Sequence, residues 1–215
     1  MTGVLLVDDH PLFRTALSTA VRRVRPDARI VEAPTLADAA ARLRDDPGIS
    51  LVLLDLRMPD CEGFTGLLTL RAEHPAVPVV VVSASEDGET VRRALSFGAS
   101  GFIPKSASLE TMSEALETVL AGEVWAPPVC TPDNDDGTSE RDGASERIAS
   151  LTPAQLRILV GLRRGRLNKQ IAYEMGVSEA TVKAHMTAIF RKLGVLNRTQ
   201  AVIAAEALLL DSDAA

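Results

Sequence analysis

Four apolar runs in the first half of the chain each lead to a polar residue suited to phosphate chemistry. GVLLV (3–7) meets Asp8 and Asp9, LVLL (51–54) meets Asp55, VPVVVVS (77–83) finishes on Ser83, and GFI (101–103) leads through FIPKS to Lys105. Three carboxylates held within several ångströms of one another cannot all stay ionised unaided. A hard divalent cation resolves the conflict, and Mg2+ prefers carboxylate and carbonyl oxygens. With it in place Asp55 remains an anion able to attack phosphorus, while Mg2+ and the Lys105 ammonium neutralise oxygen charge during an in-line transfer. The Ser83 hydroxyl is then available to the arriving phosphoryl oxygens. Each residue alone has a plainer use: Asp9, just ahead of a helix beginning at Pro11, could be a cap, Ser83 a turn hydroxyl, and Lys105 a surface cation. Together, in this order and at four strand ends, they are far harder to obtain by chance.

The elements that must bring these groups together are visible in the hydrophobic pattern. The strand-like runs, including ARIVEA (28–33), alternate with stretches whose apolar residues recur at helical spacing, such as Phe13, Leu17, Val21 and Val24, or Leu109, Met112, Leu116, Val119 and Leu120. Unbroken Val/Leu runs mean strands covered on both faces, which a parallel sheet with flanking helices provides. Five β-α repeats predict a doubly wound α/β domain with a five-stranded parallel sheet over residues 1–125. Functional groups of such sheets gather at the carboxyl ends of the strands, where strand order reverses.

Residues 126–150, APPVCTPDNDDGTSERDGASERIAS, are rich in Pro, Gly, Ser and acids and nearly devoid of apolar side chains, so they read as a flexible acidic linker. Residues 151–215 read as a small all-α domain. Thr152 is placed as N-cap, Pro153 at the first helical position and Gln155 to close a capping box, with Leu151 and Leu156 as a hydrophobic staple. This helix should end near Gly165, a second run from Asn168 to Gly176, a third from Ser178 to near Gly194, and a fourth follow Thr199. On a helical wheel the third buries Val182, Met186, Ile189, Phe190 and Leu193 and turns Lys183, Thr187, Arg191 and Lys192 outward, with Ala184 and Ala188 between them. Two helices meeting through GVS (176–178) would form a helix-turn-helix, whose second member enters the major groove. By charge pattern alone a basic helix packed in an ordinary bundle is the slightly better account.

Charge divides along the same lines. Residues 1–125 carry 12 Lys+Arg against 18 Asp+Glu, residues 126–150 carry 2 against 6, and residues 151–215 carry 9 against 5, as an acidic module joined to one for a polyanion would. Cys61 and Cys130 lack CxxC spacing and a secretory context, so zinc and a structural disulfide are both disfavoured and neither is given a role. No run of about 18 apolar residues could span a membrane, and the N-terminus meets acid too early for a signal peptide. A cytoplasmic protein is expected.

VLLVDDHPLFR, LVLLDLRMPDCEG, VVVVSAS and GASGFIPKS resemble the signature blocks of two-component response regulator receivers, a flavodoxin-like fold, across residues 1–122. The resemblance implies that Asp55 is phosphorylated by a partner sensor histidine kinase. It further implies that Asp9 binds Mg2+ directly and Asp8 mainly through water, with Asp55 and the backbone carbonyl of Arg57 as further ligands, and that Ser83 and Lys105 hold the phosphoryl group. Phe102 stands at the position of an aromatic switch residue, as Phe where many relatives carry Tyr. Residues 151 to about 208, with LT, LNKQIA, VS..TVKAHM and KLGV.NR in register, are similar to LuxR-type output domains of the NarL/FixJ class. That implies a scaffold helix over 166–176, a recognition helix over 178–193 and a candidate dimerisation helix over 199–209. Lys183, Ala184 and Thr187 would then reach base edges, and Lys169, Thr181, Arg191, Lys192 and Arg198 would contact phosphates. His185 has no partner motif and reads as packing or a phosphate contact.

The expectation is a transcription regulator controlled by phosphorylation, binding double-stranded DNA as a homodimer, and not an enzyme. Two other readings differ in class. One keeps the output domain and makes the first domain a phosphate-independent interaction module. The other is a Mg2+-dependent phosphohydrolase, for which DLR (55–57) supplies no neighbouring acid two residues on from the nucleophile.

Overall fold

The computed structural model describes residues 2–128 and 139–209. The chain forms two compact units, one within residues 1–135 and one within 136–215. In the first, strands and helices alternate: β1 (Gly3–Val7), α1 (Pro11–Val24), β2 (Arg29–Ala33), α2 (Leu36–Asp45), β3 (Ile49–Asp55), the short strands β4 (Arg57–Met58) and β5 (Cys61–Glu62), α3 (Thr65–Glu73), β6 (Val79–Ser83), α4 (Gly88–Ser96), β7 (Gly101–Pro104) and α5 (Leu109–Leu120).

The five longer strands pair in parallel in the order β2-β1-β3-β6-β7, the doubly wound sheet expected from the unbroken Val/Leu runs. Every residue of β1 and β6 is buried, because helices cover both faces. One face packs Val4, Leu6, Leu51, Leu53, Val80, Val82 and Ile103 against Leu17 and Val21 of α1 and Met112, Leu116 and Val119 of α5. Phe102, next to Ile103, alternates to the opposite face and is fully buried.

Register positions the strand ends. Val7 pairs with Leu54, so the next residues along, Asp8 and Asp55, emerge side by side. Asp55 pairs with Val82 and Ser83 with Pro104, which puts Ser83 and Lys105 one step further along the same rim. Strand order reverses between β1 and β3, where a doubly wound sheet opens its crevice. Beyond β7 the chain returns after α5: Trp125 forms a parallel bridge with Gly101, accepts from the Phe102 amide at 3.0 Å and donates to the Ser100 carbonyl at 3.3 Å. The β4–β5 pair, with Arg57 opposite Glu62 and Met58 opposite Cys61, was not readable as a pattern, since two residues show no periodicity. It turns the chain away from Asp55 into Gly63, whose φ of 56° is left-handed. Cys61 is a buried thiol; Cys130 lies outside the described residues.

The second unit contains α6 (Ser139–Ala149), α7 (Pro153–Arg163), α8 (Asn168–Met175), α9 (Glu179–Leu193) and α10 (Arg198–Ala204), the last running into a 3-10 turn at Ala205–Leu208. The capping box at α7 forms: Thr152 Oγ1 accepts from Gln155 N at 3.4 Å, and Gln155 Oε1 accepts from Thr152 N at 3.1 Å. Gly176 and Gly194 end α8 and α9 in the left-handed region, φ 66° and 70°. α10 begins at Arg198, capped by Asn197, slightly ahead of the expected start after Thr199.

The reading of 126–150 as linker needs correction at its C-terminal end. Residues 139–149 are helical, and α6 packs within the second unit, burying Ser145 and Ile148. The Lys192 ammonium donates to the Ser150 carbonyl at 2.7 Å, fastening the end of this segment to α9. Composition hid the helix because it contributes a single large apolar residue, Ile148, to the core and is interrupted by Gly143. Residues 129–138 of the same stretch lie outside the described residues. No helix among the described residues is long and apolar enough to cross a membrane.

Candidate functional site

At the rim where β1 and β3 end, Asp8 and Asp55 are almost wholly buried, and their carboxylates share one ammonium. Lys105 Nζ lies 2.8 Å from Asp8 Oδ2 and 2.7 Å from Asp55 Oδ2. The second oxygen of each carboxylate takes a backbone donor: Arg57 N–H to Asp55 Oδ1 at 3.0 Å and His10 N–H to Asp8 Oδ1 at 2.7 Å. Asp9 is half-buried, with its Oδ1 2.7 Å from His10 Nδ1. It is not a helix cap: the N-cap of α1 is His10, and no side chain caps that helix. A cavity of about 430 Å3 opens over Asp55, lined by His10, Leu12, Phe13, Arg57, Ala84 and Lys105.

Burial pushes the Asp55 carboxyl above its ordinary range and the neighbouring Asp8 adds to this, against the Lys105 and Arg57 hydrogen bonds. Burial also acts on Lys105, where it favours the neutral amine, but the hydrogen bond to Asp55 and the close Asp8 carboxylate outweigh it and hold the ammonium above its usual pKa. One cation for three acids is an incomplete balance. Asp8 Oδ2 and Asp9 Oδ1 are buried without a well-aligned hydrogen bond, although Lys105 and His10 stand close to them. One ligand atom each from Asp8, Asp9, His10 and Asp55 can be chosen so that all lie within 4.8 Å of one another. This oxygen-rich set with spare acceptor capacity fits a hard divalent cation.

Of the residues expected at this site, Asp8, Asp9, Asp55 and Lys105 are together, and Arg57 reaches it through its backbone N–H, on Asp55 Oδ1. Ser83 is adjacent and buried, its carbonyl accepting from Lys105 N at 2.7 Å and its hydroxyl from Ser85 N at 3.2 Å. Ser85 Oγ in turn bonds Asp87, whose Oδ1 caps α4 at the Thr90 amide, 2.7 Å away. Phe102 does not line the cavity. Three neighbours escaped the sequence reading. His10 follows the two acids directly and could have been noticed. Phe13, read as helix core, places its ring 4.7 Å from Lys105 Nζ. Arg14 donates to the Asp8 carbonyl at 2.6 Å and to Glu32 Oε2 at 2.7 Å, contacts with no local signature.

In the second unit, α8 and α9 are joined by the tight turn at Gly176 and Val177, with Ser178 capping α9 at the Thr181 amide. Val182, Ile189 and Leu193 are buried, Met186 and Phe190 partly so. Lys183, Ala184, Thr187 and Arg191 are exposed along α9, and Lys169 is exposed on α8. The other expected contacts are half-buried: Thr181 at the cap, Lys192 on the Ser150 carbonyl, and Arg198, whose guanidinium bonds Asn168 Oδ1 at 3.3 Å and the Arg166 carbonyl at 2.5 Å. His185 is half-buried.

Residues 4–117 match the family model of the response regulator receiver domain, and residues 149–205 that of bacterial regulatory proteins of the luxR family. The chain belongs to the two-component response regulators of the NarL/FixJ class, transcription regulators in which a receiver precedes a LuxR-type domain. It is 41% identical over 210 residues to the glycerol metabolism activator of Pseudomonas putida, covering 95% of both chains. To the nitrate/nitrite response regulator protein NarL of Escherichia coli K12 it is 32% identical over 206 residues, covering 93% of both. Among solved structures it shares its fold with RcsB from Salmonella enterica serovar Typhimurium, bound to a promoter in the presence of phosphomimetic BeF3-, at a TM-score of 0.55 and 18% identity, covering 95% of this chain and 98% of that one.

Proposed function

We propose that the first unit accepts a phosphoryl group on Asp55 from a sensor histidine kinase, and that this controls how the second unit engages double-stranded DNA as a homodimer in the cytoplasm. The observation that carries the reading is the Asp55 carboxylate, buried at the end of the central strand and shared with Asp8 through one ammonium at 2.7 and 2.8 Å. In the transfer an Asp55 oxygen forms a bond to phosphorus as the bond to the donor's imidazole nitrogen breaks, and that nitrogen departs carrying the electron pair. Lys105, beside Asp55, is within reach of the negative charge on the oxygens of the arriving phosphoryl group, and the Ser83 hydroxyl can turn from Ser85 N–H to the new group. Asp8, Asp9, Asp55 and the Arg57 carbonyl would hold Mg2+, which when bound supplies positive charge to the phosphoryl oxygens.

Relief of the Ser83–Ser85 contact gives the receiver a second arrangement, because Ser85 is tied to the cap of α4. Phe102, buried one strand away, is the candidate to follow that movement. In the second unit, α9 is proposed as the recognition helix, with Lys183, Ala184 and Thr187 at base edges and Lys169, Thr181, Arg191, Lys192 and Arg198 at or near phosphates. The RcsB complex, a protein of the same fold on promoter DNA, supports this use of the domain. Incubation of the whole protein with a small phosphodonor and Mg2+ should give an acid-stable, base-labile acyl phosphate that Asp55→Ala lacks. Unchanged labelling of Asp55→Ala would remove Asp55 as acceptor.

A further inference from the structure

We infer that His10 is a ligand of the divalent cation in the acid pocket, so that the site holds first-row transition ions more tightly than Mg2+. The inference rests on the reading that this pocket binds a divalent cation, and it adds a nitrogen donor to a set of oxygens.

Geometry carries it. His10 Nδ1 lies 2.7 Å from Asp9 Oδ1 and 3.3 Å from Asp8 Oδ1. Adjacent donors around an octahedral ion with bonds near 2.1 Å stand about 3.0 Å apart, and the two observed separations bracket that spacing. A ligand atom of His10 falls in one group with those of Asp8, Asp9 and Asp55, all within 4.8 Å. Backbone constraints aim the ring. His10 precedes Pro11, which favours extended conformation at the preceding residue, and its φ of -94° and ψ of 105° lie there. Its N–H is bonded to Asp8 Oδ1 at 2.7 Å, so ring and carboxylate share one short, braced segment. The buried Asp8 Oδ2, 2.8 Å from the Lys105 ammonium but without an aligned hydrogen bond, is the independent sign that the cluster has acceptor capacity to spare. With the side chain 66% exposed, a water on the ion can give way to the imidazole with little rearrangement.

Chemistry sets the consequence. Mg2+ is satisfied by carboxylate, carbonyl and water oxygens, whereas imidazole suits the borderline ions, whose affinity rises along the series from Mn2+ toward Cu2+. The pocket therefore discriminates among cations through one side chain that the phosphoryl chemistry itself does not need.

The test is isothermal titration of the metal-stripped full chain with Mg2+ and with Co2+, for wild type, His10→Ala and His10→Gln, with proton NMR of the Co2+ form and circular dichroism to verify folding. Wild type should bind Co2+ at least about tenfold more tightly than Mg2+ and show contact-shifted imidazole ring protons. Both variants should lose about tenfold in Co2+ affinity and the shifted protons while Mg2+ affinity changes by less than about threefold; His74 and His185 remain present in them. Retained Co2+ preference and retained shifted protons would overturn the inference. So would tighter binding of both ions to His10→Ala, which would make the imidazole a counter-charge occupying the cation's place. In either of those cases the cation site itself stands. If wild type binds neither ion, the pocket is no cation site and both readings fall.

Discussion

Replacing Lys105 with Met removes the ammonium that Asp8 and Asp55 share while keeping most of the aliphatic stem. Both carboxylates are 1% exposed and Lys105 17%, so water cannot substitute freely for the lost charge. Removing one partner of a buried pair costs about 3–5 kcal/mol. The orphaned acids have one escape, which is to take up a proton. For an ordinary carboxylate at pH 7 that costs about 4 kcal/mol, and less for Asp55, whose pKa burial already raises. The two routes together bound the loss at about 2–4 kcal/mol without metal, or about 1–2 M in urea midpoint at the m-values of small domains. Trp125 is the single tryptophan of the chain and packs against the core of the first unit, so its fluorescence isolates receiver unfolding. The gap should narrow as pH falls, because Asp55, whose carboxyl burial holds above its ordinary range, takes up a proton, and saturating Mg2+ at pH 7 should narrow it too. An unchanged midpoint at pH 7 in EDTA, or an equal loss at pH 4, would refute the charge argument.

Asp55→Asn should be more stable than wild type at pH 7 in EDTA. The folded pKa of Asp55 is raised, so its contribution is complete below the ordinary carboxylate pKa and is lost as pH rises through the folded value; the advantage of the Asn variant must close in acid, as urea midpoints across pH will show. Thr152→Ala breaks the capping box and should destabilise α7 by about 1 kcal/mol, seen as faster amide exchange across that helix; protection equal to wild type would make the box incidental. Lys183→Ala should weaken binding to a specific site by more than binding to nonspecific DNA, measured by titration with both, and equal losses would reassign it to the backbone. Lys192→Ala, through its bond to the Ser150 carbonyl, should speed amide exchange in α6 as well as weaken DNA binding, and exchange in α6 equal to wild type would make that bond incidental.

The receiver could be read so fully because its strands are buried on both faces. Runs such as LVLL and VVVV have no other use, and once they lie parallel, the pairing of Val7 with Leu54 obliges Asp8 and Asp55 to meet. What remained hidden were contacts with no period in sequence. The β4–β5 pair is too short to alternate, and Arg14 reaches a backbone carbonyl and Glu32 from a helix face that reads only as polar. α6 was invisible for another reason: its stability comes from seating Ile148 and tethering Ser150 to Lys192, not from an apolar stripe of its own. In α9 the periodicity identified the outward residues Lys183, Thr187 and Arg191, but not that Lys192 is already engaged. His10 was legible as a neighbour of two acids; its ring direction required the backbone on either side.

The return of Trp125 alongside β7 bears on how the first unit can be handled in isolation. An outermost strand with bare amides is a template for another molecule's backbone. Here the Phe102 amide and Ser100 carbonyl are already engaged by Trp125, while the opposite margin, β2, carries the charged Arg29 and Glu32. A fragment truncated before residue 125 would strip that border and leave β7 ready to recruit a neighbour, so excised receivers ending short of Trp125 should self-associate where slightly longer ones stay dispersed.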